Sequence, residues 1–370
     1  MEMMLTIHFT IPRLYCPLPV PGVHPDLDLL EKRGLDWIAA CGFAPDPAAR
    51  RSVANTQSHA LLSRLTPRAP ASLVQLGVDL GYLLFTFDDL RTDTGPTSTD
   101  TAQLMAWLYD FTYALAIPEA PASGTDPGYA AIAELSRRIR AATTPQMWRR
   151  WTDVLHHSCW SAMWESTQRN LKLTPTFDTY LTARPRFGAA PATLLMAEIA
   201  AQLRVPEDER EHPLVRTAFD VSCLLLCLDD DLYSYPKEQW ALERAGRDVA
   251  HEPAGIPILM REHHAGVDEA VALLTDIRDR LTLLLTRLLA LIKAGPFSPD
   301  TMAYAGLAAS AVPVGLAWAQ QCPRFTDPDG RSPGLIELHW AGLHDIPPAN
   351  RDPLPYPSIA WWWRLAEPPE

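Results

Sequence analysis

"LLFTFDDLRTD", Leu83 to Asp93, decides the reading of this chain. An apolar, aromatic run ends in two adjacent carboxylates, Asp88 and Asp89, and a third, Asp93, follows four positions on. On a continuing helix Asp88 and Asp93 stand about 140° apart; if the helix frays after Leu90 they converge. Carboxylates at a helix C-terminus face the wrong end of the dipole, so something else must compensate them. A hard divalent cation does this, because it takes carboxylate oxygens and bridges to phosphate oxygens. For so short a motif the plainer alternative is a solvated helix end followed by a turn.

A second apolar run, "VSCLLLCL", leads into "DDDLYSYPKEQ", Asp229 to Gln239. Asp230, Ser234 and Glu238 recur every fourth residue, which keeps them on one helix face within about 80°. Acid, hydroxyl and acid in a row form an oxygen-only chelate for a hard cation. Pro236 inside this run costs an ordinary helix about 3 kcal/mol, so a kink or an end is expected there. Lys237 puts a cation where an anionic ligand would sit. Asp229, about 100° off the chelating face, is expected to pair with a nearby base.

The rest of the chain bounds the setting. With 370 residues and 47% hydrophobic content a sizeable core is available. The net charge of −12 and the lack of a basic stripe argue against nucleic acid, though not against a phosphorylated substrate held through metal ions. The six cysteines form no CxxC and read as reduced core thiols of a cytoplasmic protein. The N-terminal stretch lacks the basic and apolar regions of a signal peptide. The most apolar segment, Leu281 to Ile292, is broken by Arg287 and short of the roughly 20 residues a spanning helix needs. A soluble protein without a membrane span is expected. Long segments show apolar residues three and four apart, as in "DEAVALLTDIRDRLTLLLTRLLALIK". The two acid-tipped runs are apolar nearly all round, which suits central helices of a bundle. No convincing period-2 strand or internal repeat is seen. Pro/Gly/Ser clusters at 11–25, 94–98, 117–128, 204–213, 294–299 and 326–333 read as breaks, none as a flexible linker. The expectation is one all-α domain over 1–370, flanked by an irregular segment at 1–25 and a Pro/Trp-rich tail at 326–370. Trp361 to Trp363 would pack that tail onto the domain or a neighbouring subunit, a functional lid being the alternative.

Two apolar helices that both deliver hard oxygen ligands form a pattern neither makes alone. Here the sequence resembles the bacterial class I terpene synthases, or terpene cyclases. The aspartate-rich motif reads Asp88-Asp89-x-x-x-Asp93; the second metal triad reads Asp230, Ser234 and Glu238, with Asp in place of the usual Asn. "YLTARPRFG" resembles the diphosphate-sensor segment, placing Arg184 as sensor and Gly188 at the effector position, with Phe187 where a polar linker is usual. "GLAWAQQCPRF" resembles the C-terminal segment that usually ends Arg-Tyr: Arg324 matches, while Phe325 lacks the hydroxyl. Trp318 matches a pocket-facing aromatic, and "FTIPRLYCPLP" resembles the family's opening. The resemblance runs over about residues 8–325.

It implies a helical bundle around a central apolar cavity and a Mg²⁺-dependent lyase of isoprenoid biosynthesis. Three Mg²⁺ ions would be held by Asp88, Asp89, Asp93, Asp230, Ser234 and Glu238, Asp89 being able instead to pair with an arginine. Arg184, Lys237 and Arg324 would bind the leaving diphosphate, with Gly188 at the effector turn. Phe85 and Trp318 would wall the carbocation, with Phe87, Phe187 and Phe325 completing the substrate-binding set and Phe219 and Trp164 as further wall candidates. Farnesyl diphosphate is favoured by analogy and geranylgeranyl diphosphate is the alternative. A homodimer is left open.

Two rivals fit less well. A chain-elongating prenyltransferase needs a second DDxxD, and Ser234 stands where an acid is required. The other is a non-catalytic helical metal-binding or scaffold protein; a di-iron bundle, for instance, needs paired ExxH motifs on inward faces, and only Glu209-x-x-His212 matches, in a polar loop. His156-His157, His263-His264 and Arg149-Arg150 read as surface or core residues.

Overall fold

A computed structural model describes residues 6–93, 95–121, 124–247 and 251–367. Two short strands, β1 (Ile7–Ile11) and β2 (Leu14–Tyr15), precede the first helices: α1 (Leu27–Ala40), α2 (Pro47–Asn55), α3 (Ser58–Leu65) and α4 (Ala71–Phe87). Next come α5 (Thr101–Ala116), α6 (Pro127–Ala142), α7 (Pro145–Asn170), α8 (Phe177–Phe187), α9 (Ala190–Ala201), α10 (Glu207–Arg210) and α11 (Pro213–Arg244). The chain continues through α12 (Gly255–His263), α13 (Val267–Ala294) and α14 (Pro299–Ala319) to β3 (Ile336–Trp340), β4 (Leu343–His344) and α15 (Pro357–Ala360).

Many of the chain's 35 prolines start helices rather than break them. Pro127, Pro145, Pro213 and Pro299 each open a helix, where the missing N–H costs nothing. The residue before each supplies the cap: Asp126 accepts from the Gly128 N–H, Thr144 from Met147, His212 from Leu214 and Ser298 from Thr301. The sequence breaks at 117–128 and 294–299 fall largely between helices, as expected, while the one at 204–213 holds the short helix α10.

α11 is the central helix, packed against α8, α9, α13 and α14, and its apolar run Val221–Leu228 is almost wholly buried. α4 packs on α1, α3, α6 and α9 on the other side of the core. The helix α11 does not end at Pro236 but runs on to Arg244. Only the Leu232 carbonyl loses its helical donor to Pro236, and burial of this stretch against α13 and α14 outweighs the local penalty.

The segments at 1–25 and 326–370 are not wholly irregular. β1 pairs in parallel with β3, with His8 opposite Glu337 and Ile11 opposite Trp340, and β2 pairs in parallel with β4. Five residues of alternation in "IHFTI" are a weak signal, and the partner strand lies more than 300 residues away, so no local pattern announces the pairing. Trp362 and Trp363 are buried against the domain while Trp361 stays 42% exposed. Buried Arg278 binds Asp229 (Nε to Oδ1, 2.9 Å) and Asp279 (2.6 Å), and Asp279 accepts the Tyr15 N–H at 3.0 Å. Asp229 thus has its base, and the N-terminal strap is tied to α11 and α13 through it.

All six cysteines are free thiols, five of them buried. Among the described residues one helix, α14, is long and apolar enough to cross a membrane, and 67% of its most apolar window lies inside the fold, as in an ordinary core helix.

Candidate active site

A cavity of about 220 Å³ opens among α3, α4, α7, α8, α9, α11 and α14. Its depth is apolar: Leu62, Leu84, Phe85, Phe87, Leu155 and Leu226 line it with Trp318 and Phe325. Its mouth carries Asp88, Asp93, Asp230, Ser234, Glu238, Arg184, Lys237 and Arg324. The two acidic motifs, more than 130 residues apart in sequence, therefore face one hollow.

α4 neither continues as an α-helix nor frays at its acidic end. Asp88–Asp93 forms a π-helical turn. A π-helix bonds residue i to i+5, so residues five apart stack on one face, and Asp88 and Asp93 are brought together. Carboxylate oxygens of Asp88, Asp89 and Asp93 all lie within 4.8 Å of one another. Thr92 fastens the turn, donating to the Asp88 backbone carbonyl at 2.9 Å and to Asp88 Oδ1 at 2.7 Å.

Cations hold this cluster. Arg324 donates to both Asp89 oxygens at 2.7 Å and to Asp88 Oδ2 at 3.2 Å, and its guanidinium lies 5.0 Å from the Phe85 ring centre. Asp89 thus pairs with an arginine, as one of the two sequence readings had it, and is not a lining residue of the cavity. Lys237 Nζ stands 3.8 Å from Asp93 Oδ2. Half-exposed at the cavity mouth but surrounded by protein, the Asp88 carboxyl is pushed up to about 6, first by desolvation and next by the Asp93 charge. Burial opposes the Arg324 charge, but Asp89 first and then Asp88 raise its guanidinium overall.

On α11, Ser234 Oγ donates to Glu238 Oε1 at 2.6 Å, the i to i+4 contact read from the spacing. Burial pushes the Glu238 carboxyl up to about 7, against the pull of Lys237 and Ser234. Asp230 accepts from Arg184 Nη2 at 2.8 Å. Arg184 also donates through Nε to Asp231 Oδ1 at 2.8 Å, and Tyr180 donates to Asp231 Oδ2 at 2.6 Å. Asp231, buried next to Asp230, thus fixes the Arg184 side chain.

Gly188 ends α8 where the chain turns into α9. A Cβ there would lie 2.5 Å from Arg184 Nη1 and 2.9 Å from Cys227 Sγ, so only glycine lets this corner approach α11. The left-handed residue is the next one, Ala189, at φ 55°. Phe187 makes no polar relay; its ring lies under the Arg184 guanidinium at 5.1 Å.

The aromatic wall divides. Phe85 stacks on Trp318 at 5.7 Å, and Phe325 meets Trp318 edge-on at 5.5 Å. Phe87 stacks on Trp107 at 5.2 Å while lining the cavity. Phe219 is not a wall residue: it stacks on Tyr304 and faces a separate hollow near Trp361 and Trp362. Trp164 is not on the cavity surface either, but backs Phe187 at 6.3 Å. Arg150 reaches buried Glu198 at 3.2 Å, while Arg149 stays exposed.

The structure adds a cluster that sequence reasoning missed. Glu252 accepts from Arg169 (2.7 Å) on one oxygen and Arg247 (2.7 Å) on the other. Those arginines donate in turn to the backbone carbonyls of Thr92 and Asp93, both at 2.8 Å. Glu165, pushed up to about 7 by burial, completes the cluster on Arg169 at 2.8 Å. In the sequence Glu165 and Arg169 show only the i, i+4 spacing of any surface helix pair.

An apolar cavity rimmed by two oxygen-rich clusters on facing helices is the arrangement of a class I helical terpenoid-type enzyme. The comparisons agree. The signature of Terpene synthase family 2, C-terminal metal binding, matches residues 79–282. Phomopsene synthase of Allokutzneria albata is 30% identical over 357 residues, 96% of each chain. Diterpene cyclase DtcycA of a Streptomyces species is 28% identical over 369 residues, again 96% of each. (+)-T-muurolol synthase of Streptomyces clavuligerus, described as (2E,6E)-farnesyl diphosphate cyclizing, is 26% identical over 96% of this chain and 82% of its own. The crystal structure of the SVS_A2 protein from ancestral sequence reconstruction superposes with a TM-score of 0.82 at 28% identity, covering 96% and 99% of the two chains. The chain belongs to the terpene synthase family.

Proposed function

We propose that this protein is a Mg²⁺-dependent terpene cyclase that ionises an isoprenyl diphosphate and cyclises the resulting carbocation. One observation carries the reading: Asp88 and Asp93 share a face with each other and a cavity mouth with Asp230, Ser234 and Glu238. The donors fit a hard divalent cation, since all are carboxylate or hydroxyl oxygens and no sulfur or imidazole joins them. Asp88, Asp93, Asp230, Ser234 and Glu238 would hold it, with Asp89 held by Arg324. When bound, Mg²⁺ supplies Lewis-acid neutralisation of the charge that builds on a leaving diphosphate.

The chain's own groups do the rest. Arg184, Lys237 and Arg324 converge on the mouth and can exchange a carboxylate partner for a phosphate oxygen, keeping charge-assisted hydrogen bonds throughout. Phe85, Trp318, Phe87 and Phe325 line the hydrocarbon end, where their ring faces stabilise positive carbon and exclude water. Phe85 thus spans both halves, with its ring on the Arg324 guanidinium and on Trp318.

Full-length similarity to a protein named as a diterpene cyclase makes geranylgeranyl diphosphate the first substrate to test, ahead of the farnesyl diphosphate that analogy alone favoured. The farnesyl-cyclizing relative keeps the shorter substrate as the second reading. The test is a side-by-side incubation with geranyl, farnesyl and geranylgeranyl diphosphate plus Mg²⁺, followed by gas chromatography of a pentane overlay. A cyclic C20 product is expected. A longer linear diphosphate in the presence of isopentenyl diphosphate, or product formation in excess EDTA, would overturn the reading.

A further inference from the structure

We propose that β1 and β3 carry a second metal site, formed by His8, Glu337 and His339 and suited to Zn²⁺ rather than Mg²⁺. The parallel register sets His8 opposite Glu337, and His339 is the next residue of β3 on the same face. The alternation is consistent along both strands: Ile7, Phe9 and Ile11 turn inward, while His8, Thr10, Glu337 and His339 face out.

The donor atoms already converge. His8 Nδ1 lies 3.4 Å from His339 Nε2 and 3.1 Å from Glu337 Oε2. One ligand atom from each of the three residues falls within 4.8 Å of the others. Two donors each bound to a tetrahedral zinc at its usual nitrogen distance stand roughly 3.3–3.4 Å apart, so the imidazole pair already has the spacing a zinc ion imposes. The rings are nearly parallel, 11° between planes, and must turn about χ2 to aim both nitrogens at one point. That torsion is soft, and both rings are exposed.

Two imidazoles and a carboxylate are a zinc donor set. They differ in kind from the oxygen-only clusters at the cavity mouth, so the molecule would sort two metals by donor type. The site has a mechanical meaning too. His8 and His339 are 331 residues apart in sequence, and a shared ion would pin the first strand to the C-terminal extension. Phe9, between the outward residues of β1, lies 5.6 Å from Tyr235, next to Ser234 on α11. The clamp would therefore close over the helix that carries the second acidic cluster.

The test uses untagged full-length protein stripped with chelator and titrated with Zn²⁺ calorimetrically under saturating Mg²⁺. Wild type is compared with the His8→Ala/His339→Ala double variant and with Glu337→Gln. All three side chains are exposed, and circular dichroism checks that helicity is kept. The double variant is expected to lose one equivalent of Zn²⁺, Glu337→Gln to bind about tenfold more weakly, and zinc to raise the melting temperature of the wild type, less that of Glu337→Gln, and not that of the double variant. Equal stoichiometry and affinity in wild type and double variant would overturn the proposal. So would abolition of zinc binding by Mg²⁺, which would put the ion at the Asp88 cluster instead.

Discussion

Asp88 and Glu238 stand on different helices, and each faces the cavity mouth with a carboxyl raised by burial, to about 6 and about 7. Their replacement by isosteric amides removes a charge without opening a void. Asp88→Asn and Glu238→Gln are each expected to lower the rate of product formation at least about 100-fold, with helicity by circular dichroism unchanged. Protons compete with metal for these oxygens, because a carboxylate must be deprotonated to bind. Since both groups are raised, that competition is felt from about pH 7 downward. The Mg²⁺ concentration for half-maximal rate should therefore climb as pH falls from 8 to 6, and a flat titration of rate against Mg²⁺ across that range would count against these two ligands. The placement of most of these residues was legible in type and spacing: Asp230, Ser234 and Glu238, every fourth residue, fall on one face of α11, and that face lines the cavity with Asp88 and Asp93. Asp231 was not legible in this way. Its role in holding Arg184 and Tyr180 depends on which way α11 is rotated, and three consecutive aspartates do not reveal that.

At the scale of elements, the π-helical turn is the departure that matters. The sequence offered a continuing helix or a frayed one, and the chain does neither. Thr92 fastens the turn from within, and from outside Arg169 and Arg247, gathered by Glu252, hold its Thr92 and Asp93 carbonyls. No window of sequence around Asp88 contains those two arginines or Glu252. Glu252→Gln keeps the shape but removes the charge both arginines share. It is expected to raise the half-saturating Mg²⁺ concentration about tenfold, as loss of a partner behind a ligand commonly does. Since Glu252 touches neither acidic cluster, restoring near-normal rates by excess Mg²⁺ would distinguish such positioning from direct participation. The long helices themselves were legible, because three-and-four periodicity survives in any context. The strands were not, because β1 and β3 are defined by each other across the whole chain.

The whole molecule is closed by that end-to-end pairing and by the buried chain from Tyr15 through Asp279 and Arg278 to Asp229. Arg278 is fully buried, and Asp229 is one of two carboxylates that neutralise it. Asp229→Ala leaves the guanidinium under-compensated in the core, which costs about 3 kcal/mol or more. Urea denaturation should show that loss, with part of it recovered in Asp229→Asn. The central place of α4 and α11 could be foreseen from helices apolar on nearly every side, while the cavity between them was implied only by the family resemblance. Of the aromatics read as its wall, Phe85 and Trp318 do face it, while the further candidate Phe219 turns away onto Tyr304, a choice set by helix rotation.

The account stands on two acidic clusters gripping metal around one diphosphate, and anomalous scattering tests it most directly. Crystals grown with Mn²⁺ and inorganic diphosphate, with data collected near the manganese edge, should show ions between Asp88 and Asp93 on one side and among Asp230, Ser234 and Glu238 on the other. The diphosphate should lie between them, within reach of Arg184, Lys237 and Arg324. Crystals of the wild-type protein with bound diphosphate and no manganese at either cluster would contradict it.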